Sequence, residues 1–174
     1  MPTDEEQDLL RAMLLTASAG LDSMVKQLIR DALPQLITSR EASRQAFKAF
    51  VERRLRIADE VDHKLLADVL AEFSPRDRLI SLFVADLTSR SLQSKDELFK
   101  VGAAFDIPSR QLISDPEQLI AVFQARNQMA HEMDVDFTRP NRTRRPRARD
   151  AMVSKTNLVF DISNKFLLGV DRWL

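Results

Sequence analysis

Three glycines in 174 residues, set against a recurring Ser/Thr-x-x-Glu pattern, leave this chain little to fold into except helices. The pattern occurs at Thr3–Glu6, Thr38–Glu41, Ser94–Glu97 and Ser114–Glu117, and each is a capping box in which side chains satisfy the first free N–H groups of a helix. Ser74-Pro75 is a further helix start, because proline lacks an N–H that the first turn would leave unbonded anyway. Between these signals the apolar residues recur at helical spacing. Leu10, Leu14, Ala17, Leu21, Met24 and Leu28 alternate steps of four and three, the seam of a helix packed in a bundle. The spacing predicts helices over about 4–31, 40–73 with a break near Asp59-Glu60, 75–90, 95–105, 116–133 and 150–173. Gly20 is a weak point inside the first, and Pro34 lies in its exit. Leu158, Ile162, Phe166, Val170 and Trp173 mark the buried side of the last. No βαβ alternation or internal repeat interrupts this order. The expectation is an all-α, up-and-down bundle of about five to six helices, one domain over residues 1–174, with no sheet.

Composition narrows the function classes. An apolar content of 44% argues for a folded core, and 174 residues suffice to bury one without covalent staples. There are no cysteines and only two histidines, His63 and His131, so a thiolate site is excluded and neither a metal nor a cofactor is expected. The charged stretch Asp59, Glu60, Asp62 and His63 reads as a solvated face rather than a ligand set. The acidic start, Thr3-Asp4-Glu5-Glu6, does not read as a signal peptide, and no apolar run approaches a membrane span. A cytoplasmic location follows as the expectation. Net charge is zero but uneven: Arg139, Arg142, Arg144, Arg145, Arg147 and Arg149 cluster with no acid, leaving 20 basic against 26 acidic residues elsewhere. Pro140 and Pro146 make this segment, about 138–149, an irregular loop, and its charge makes it an anion-binding device.

The helix over 116–133 carries the most specific signal. Leu119, Ile120, Val122, Phe123, Ala130 and Met133 form its apolar arc. Arg126 projects within that arc, Asn127 lies at its far edge, and His131 lies just beyond it. A helix that needed only to pack would carry an apolar residue at 126, since burying an unpaired charge is costly. The string Ala125-Arg126-Asn127-Gln128-Met129-Ala130-His131 resembles the Arg-polar-x-x-x-His signature of HEPN-domain ribonucleases, which also lies on a late helix of an all-α bundle. The early segment Arg11-Ala12-Met13-Leu14-Leu15-Thr16-Ala17-Ser18-Ala19-Gly20-Leu21-Asp22 resembles the first long helix of several HEPN branches, the RiboL-PSP-associated one among them. The architectural likeness spans most of the chain; the motif itself spans about ten residues.

The resemblance implies an endoribonuclease that needs no metal and leaves a 2′,3′-cyclic phosphate, in a toxin–antitoxin or phage-defence setting. RNA supplies its own nucleophile, the 2′-hydroxyl, so the enzyme must move protons and neutralise charge. His131 suits the proton work, histidine ordinarily titrating near neutral pH. Arg126 suits the charge work, its guanidinium gripping two phosphate oxygens. Asn127 is placed to orient the imidazole or to donate to phosphate. One histidine serves poorly as base and acid at once, and residues 126 and 131 are separated by about 140° around the helix. Both points favour a homodimer with a shared cleft, as the resemblance also implies. Arg139, Arg142, Arg144, Arg145 and Arg147 are the expected RNA-binding residues. Asp22 interrupts an apolar stretch where related branches carry an acid; it is either an accessory residue or an inter-helix salt-bridge partner. RNA, a second copy and an antitoxin or other regulatory protein are the expected partners, and no membrane. The alternative is a non-catalytic HEPN module that binds RNA or a partner protein.

Overall fold

Capping and periodicity between them account for most of the helices in the computed structural model, which describes residues 3–57 and 60–173. In chain order the helices are α1 Asp4–Asp31, α2 Leu33–Ser39, α3 Glu41–Arg54, α4 His63–Leu70, α5 Pro75–Thr88, α6 Lys95–Ala104, α7 Ser109–Leu112, α8 Pro116–Glu132 and α9 Arg149–Asp171. The protein is an all-α bundle, with nine helices among the described residues rather than five or six. The extra helices arise where long apolar stretches are interrupted. Ala32 ends α1 and Pro34 sits in the first turn of α2. The stretch 40–73 divides where Arg56–Ile57 (β1) and Glu60–Val61 (β2) form a two-residue antiparallel ladder, too small to make a layer. Asp59, at the expected break, lies outside the described residues.

The caps show which local signals act. Thr3 and Glu6 form the full reciprocal box, and Ser94 accepts from the Glu97 N–H at 3.3 Å. At α8 the cap is Asp115, not Ser114: its carboxylate accepts from the Glu117 N–H at 3.0 Å. The expected Thr38–Glu41 box does not form either, because the Thr38 hydroxyl bonds back to the Gln35 carbonyl at 2.6 Å and Arg40 takes the cap position. Serine and threonine hydroxyls compete between these local partners.

α1 is the central element and packs most extensively on α9. Its buried face runs through Arg11, Leu14, Ser18, Leu21, Val25 and Ile29, while Leu10, Met24 and Leu28 are half-buried. A straight helix drifts by about 20° per heptad against a strict seven-residue seam, so the buried line slides to Val25 and Ile29. On α9, Met152, Thr156, Val159, Ile162, Phe166 and Val170 are buried, with Phe166 meeting Phe105 edge-on at 6.4 Å. Leu158 and Trp173 are half-buried; the Trp173 ring is covered by the Arg40 guanidinium at 3.5 Å. Gly102 lets α6 approach the turn beneath it, since a Cβ there would stand 2.5 Å from Leu112 Cδ1. α8 packs on α1, α9 and α6, and buries Leu119, Val122, Phe123, Ala125 and Met129.

Candidate functional site

The buried face of α8 decides where its polar residues go. Ala125 and Met129 line the core, whereas Ala130 and Met133, expected to be apolar contacts, are exposed. Arg126 sits at the margin of that face and is half-buried; Asn127 and His131 are exposed. The arginine stem lies inward, with Nε buried and without a hydrogen-bond partner, while its tip turns out along the helix. Nη1 donates to Asn127 Oδ1 at 3.0 Å and stands 3.4 Å from His131 Nε2. A guanidinium has only donors, so this long contact is open to the neutral ring, whose Nε2 can accept. The large angle between residues 126 and 131 therefore does not keep them apart, because an arginine reaches around the helix. Among the described residues, Arg126 forms no ion pair.

The arginine loop behaves differently. α8 ends with Met133 and Asp134 both in the left-handed region, φ 50° and 59°, and the Asp134 N–H bonds the Gln128 carbonyl at 2.9 Å. This turn drives the Asp134 carboxylate into the protein, where it is fully buried. Arg11 Nε donates to Asp134 Oδ2 at 2.8 Å, Arg147 Nε donates to the same oxygen at 3.0 Å, and Arg147 Nη2 donates to Oδ1. Burial opposes the charge on Asp134, but hydrogen bonds and attraction from Arg147 and Arg11 outweigh it and hold the carboxyl below its usual range. The backbone joins in: Arg11 Nη2 donates to the Arg145 carbonyl at 2.9 Å, and the Arg145 N–H donates to the Asp134 carbonyl at 2.7 Å. A single bridge, Val135 to Arg144, closes the loop.

Five arginines expected to bind RNA thus occupy unlike settings. Arg147 is committed to Asp134 and, at 2.9 Å, to Gln128. Arg145 pairs with Glu132 at 2.9 Å and donates to the Val135 carbonyl. Arg144 pairs with Asp8 at 2.8 Å, and Arg139 with Asp136 at 3.1 Å. Arg142 is exposed, has φ 46°, and among the described residues forms no side-chain pair. The loop is irregular as expected, yet it is pinned to the fold by acids that flank it or come from α1.

Asp22 is engaged in structure: Oδ1 accepts from the Leu92 N–H at 2.7 Å and Oδ2 pairs with Lys26 at 2.8 Å. Asp62 caps α4 at the Leu65 N–H, while Glu60 and His63 are exposed and Asp59 lies outside the described residues. Among the described residues no three His, Cys, Asp or Glu side chains gather as a metal site, and no helix is long and apolar enough to cross a membrane. Two residues of the site region carry little or no signal in the sequence. Asp134 is marked only by the acids at 132, 134 and 136 just before the arginines. Lys155, half-buried on α9 without an acid partner among the described residues, has no local signal. No family model matches the chain, and no curated protein or solved structure matches it significantly.

Proposed function

We propose that the protein is a metal-independent endoribonuclease of the HEPN kind, with Arg126, Asn127 and His131 as its catalytic residues. The observation that supports this most is the meeting of the three side chains at an exposed point, around an arginine that no acid neutralises. An arginine kept for stability is ordinarily paired, as Arg11 and Arg147 are. Arg126 instead keeps its charge available for a phosphate. In the reaction the 2′-oxygen attacks phosphorus and the P–O5′ bond breaks. The 2′-hydroxyl proton passes to a base, and an acid returns a proton to the leaving 5′-oxygen. The neutral His131 ring is the base, and Arg126 stabilises the phosphorane charge. Asn127 holds the guanidinium through Oδ1. The acid comes from His131 of a second copy, because one imidazole serves poorly as base and acid at once. The case for a shared cleft rests on this division of roles and not on the helix angle, since Arg126 and His131 already touch within one chain. The setting is a toxin or phage-defence system with a regulatory protein partner.

The test is incubation of purified protein with end-labelled RNA in EDTA. Fragments ending in 2′,3′-cyclic phosphate are the expected product. Cleavage that requires added Mg²⁺ contradicts the chemistry, and full activity in a dilute monomer contradicts the shared cleft.

A further inference from the structure

α8 and α9 flank an open cleft of about 320 Å³. Gln118, Ala121 and Val122 line it from α8; Ser154, Lys155 and Leu158 line it from α9. Gln118, Val122 and Arg126 follow one another at intervals of four, so they form one stripe along α8 with roughly 6 Å between steps. The Arg126 backbone is therefore one helical turn beyond the cleft, while its guanidinium turns away toward Asn127 and His131.

The cleft contains a charge without a partner. Lys155 is half-buried, and among the described residues it makes no ion pair and no side-chain hydrogen bond. Its surroundings disfavour the cation: burial comes first and repulsion from Arg147 second, and together they pull the amine below its usual range. The Ser154 hydroxyl is likewise unbonded, and the Gln118 amide leans on Asp115 at 2.9 Å, leaving its oxygen unengaged. Ser154 also borders a shallower groove whose rim carries Arg149 and the acid Asp150. A contrasting cleft of about 350 Å³ lies between α1 and the end of α8, but its charges, Asp8, Arg11, Asp134 and Arg144, are already matched to one another. A half-buried cation in a cleft that a serine also lines, with no acid among the described residues of the lining, suits an entering anion.

We propose that the α8–α9 cleft is a phosphate subsite, in which Lys155 and Ser154 hold a backbone phosphate of bound RNA. The substrate class rests on the nuclease reading, but the binding is measured without cleavage. Lys155 is here a binding residue. The ligand supplies the counter-charge that the fold withholds, and the apolar floor of Ala121, Val122 and Leu158 accommodates the sugar edge rather than a second charge.

The experiment uses the full chain carrying His131→Ala, with ¹³C-labelled lysine, and two probes: inorganic phosphate and a hexauridylate strand. Phosphate should shift the Lys155 Cε resonance saturably and raise the pH at which its amine titrates. Lys155→Met should weaken hexauridylate binding roughly tenfold, the loss expected for a charge-assisted hydrogen bond, while Lys155→Arg should retain it. Replacing a half-buried lysine by methionine removes a charge from an apolar wall, so the variant should melt no lower than its parent; Lys155→Gln gives a second check. Phosphate that leaves the Lys155 signal unmoved overturns the site. So does hexauridylate affinity that is indifferent to Lys155→Met, even if inorganic phosphate binds. A protein that binds hexauridylate through Lys155 but cuts no RNA retains the subsite and loses the nuclease reading. One that cuts RNA with a silent Lys155 does the reverse.

Discussion

Arginine is used on opposite principles at two neighbouring places, along the last turns of α8 and in the loop just beyond them. Around Asp134, one arginine of α1 and two of the loop after α8 converge on acids and backbone carbonyls: Arg11 and Arg147 on the buried carboxylate, Arg145 on Glu132. At the surface of α8, Arg126 meets only an amide and an imidazole. The first arrangement uses charge to fold a loop. The second leaves a charge unneutralised at the surface. A run of arginines in sequence is therefore a poor guide to which guanidiniums remain unpaired; the acids around each arginine decide it.

The largest expected effect on this contrast comes from Asp134→Ala. It removes the carboxylate between Arg11 and Arg147, leaving Arg147 without an acid among the described residues and Arg11 with only the exposed Asp8, and the loss should be about 3–5 kcal/mol in urea unfolding. A variant as stable as its parent would show that the buried cluster is ornamental. Acid tests the same cluster without mutation. The Asp134 carboxyl is held below its ordinary value of 3.8 in the folded protein, so its contribution is fully present above that value. It is lost as pH falls through the depressed folded value, because protonation then removes the partner of both arginines. Acid unfolding should therefore be shifted in Asp134→Asn, and overlapping acid titration curves of the two proteins would contradict the assignment.

The arginine loop offers a smaller and more selective effect. Arg142→Ala should preserve stability and lower the salt dependence of RNA binding by about 0.7 in slope for the phosphate no longer neutralised. Arg147→Ala should instead reduce stability, since the side chain is tied to Asp134 and Gln128. Equal behaviour of Arg142 and Arg147 in both assays would erase the distinction. The smallest effect is local. Gly20 lies exposed inside α1, and a Cβ added there would meet nothing within 4 Å, so Gly20→Ala should raise stability by about 0.8–1 kcal/mol in chemical unfolding.

Sequence pattern is most informative where the determining interactions are local. The bounds of α1, α6 and α8 follow from a side-chain cap at one end, those of α5 from Pro75 in its first turn, with apolar spacing between, all within a few residues. The divisions of the longer stretches are less legible. The α1–α2 break occurs at Ala32, just before Pro34, and the ladder after α3 needs β1 and β2 to pair across a turn. The same rule governs the sites. Arg126, Asn127 and His131 are neighbours on one helix, so their proximity is readable, although a helical wheel overstates their separation because it ignores arginine's length. Asp134 and Arg11 are 123 residues apart and meet only through the packing of α1 against the end of α8. Nothing near Arg11 in sequence announces a buried acid, and the arginine run looks free for that reason. Lys155 illustrates the converse, an unmatched charge that becomes visible only when α8 and α9 are packed together.

The measurement that bears most directly on the contrast is the rate of RNA cleavage in EDTA by Arg126→Ala and His131→Ala proteins, with their melting temperatures taken on the same samples. If the exposed cluster is the reacting site, both variants lose roughly 10²-fold or more in rate while melting with their parent. Cleavage that persists at the parent's rate in either variant, or a loss of activity that only tracks a loss of folding, contradicts the account.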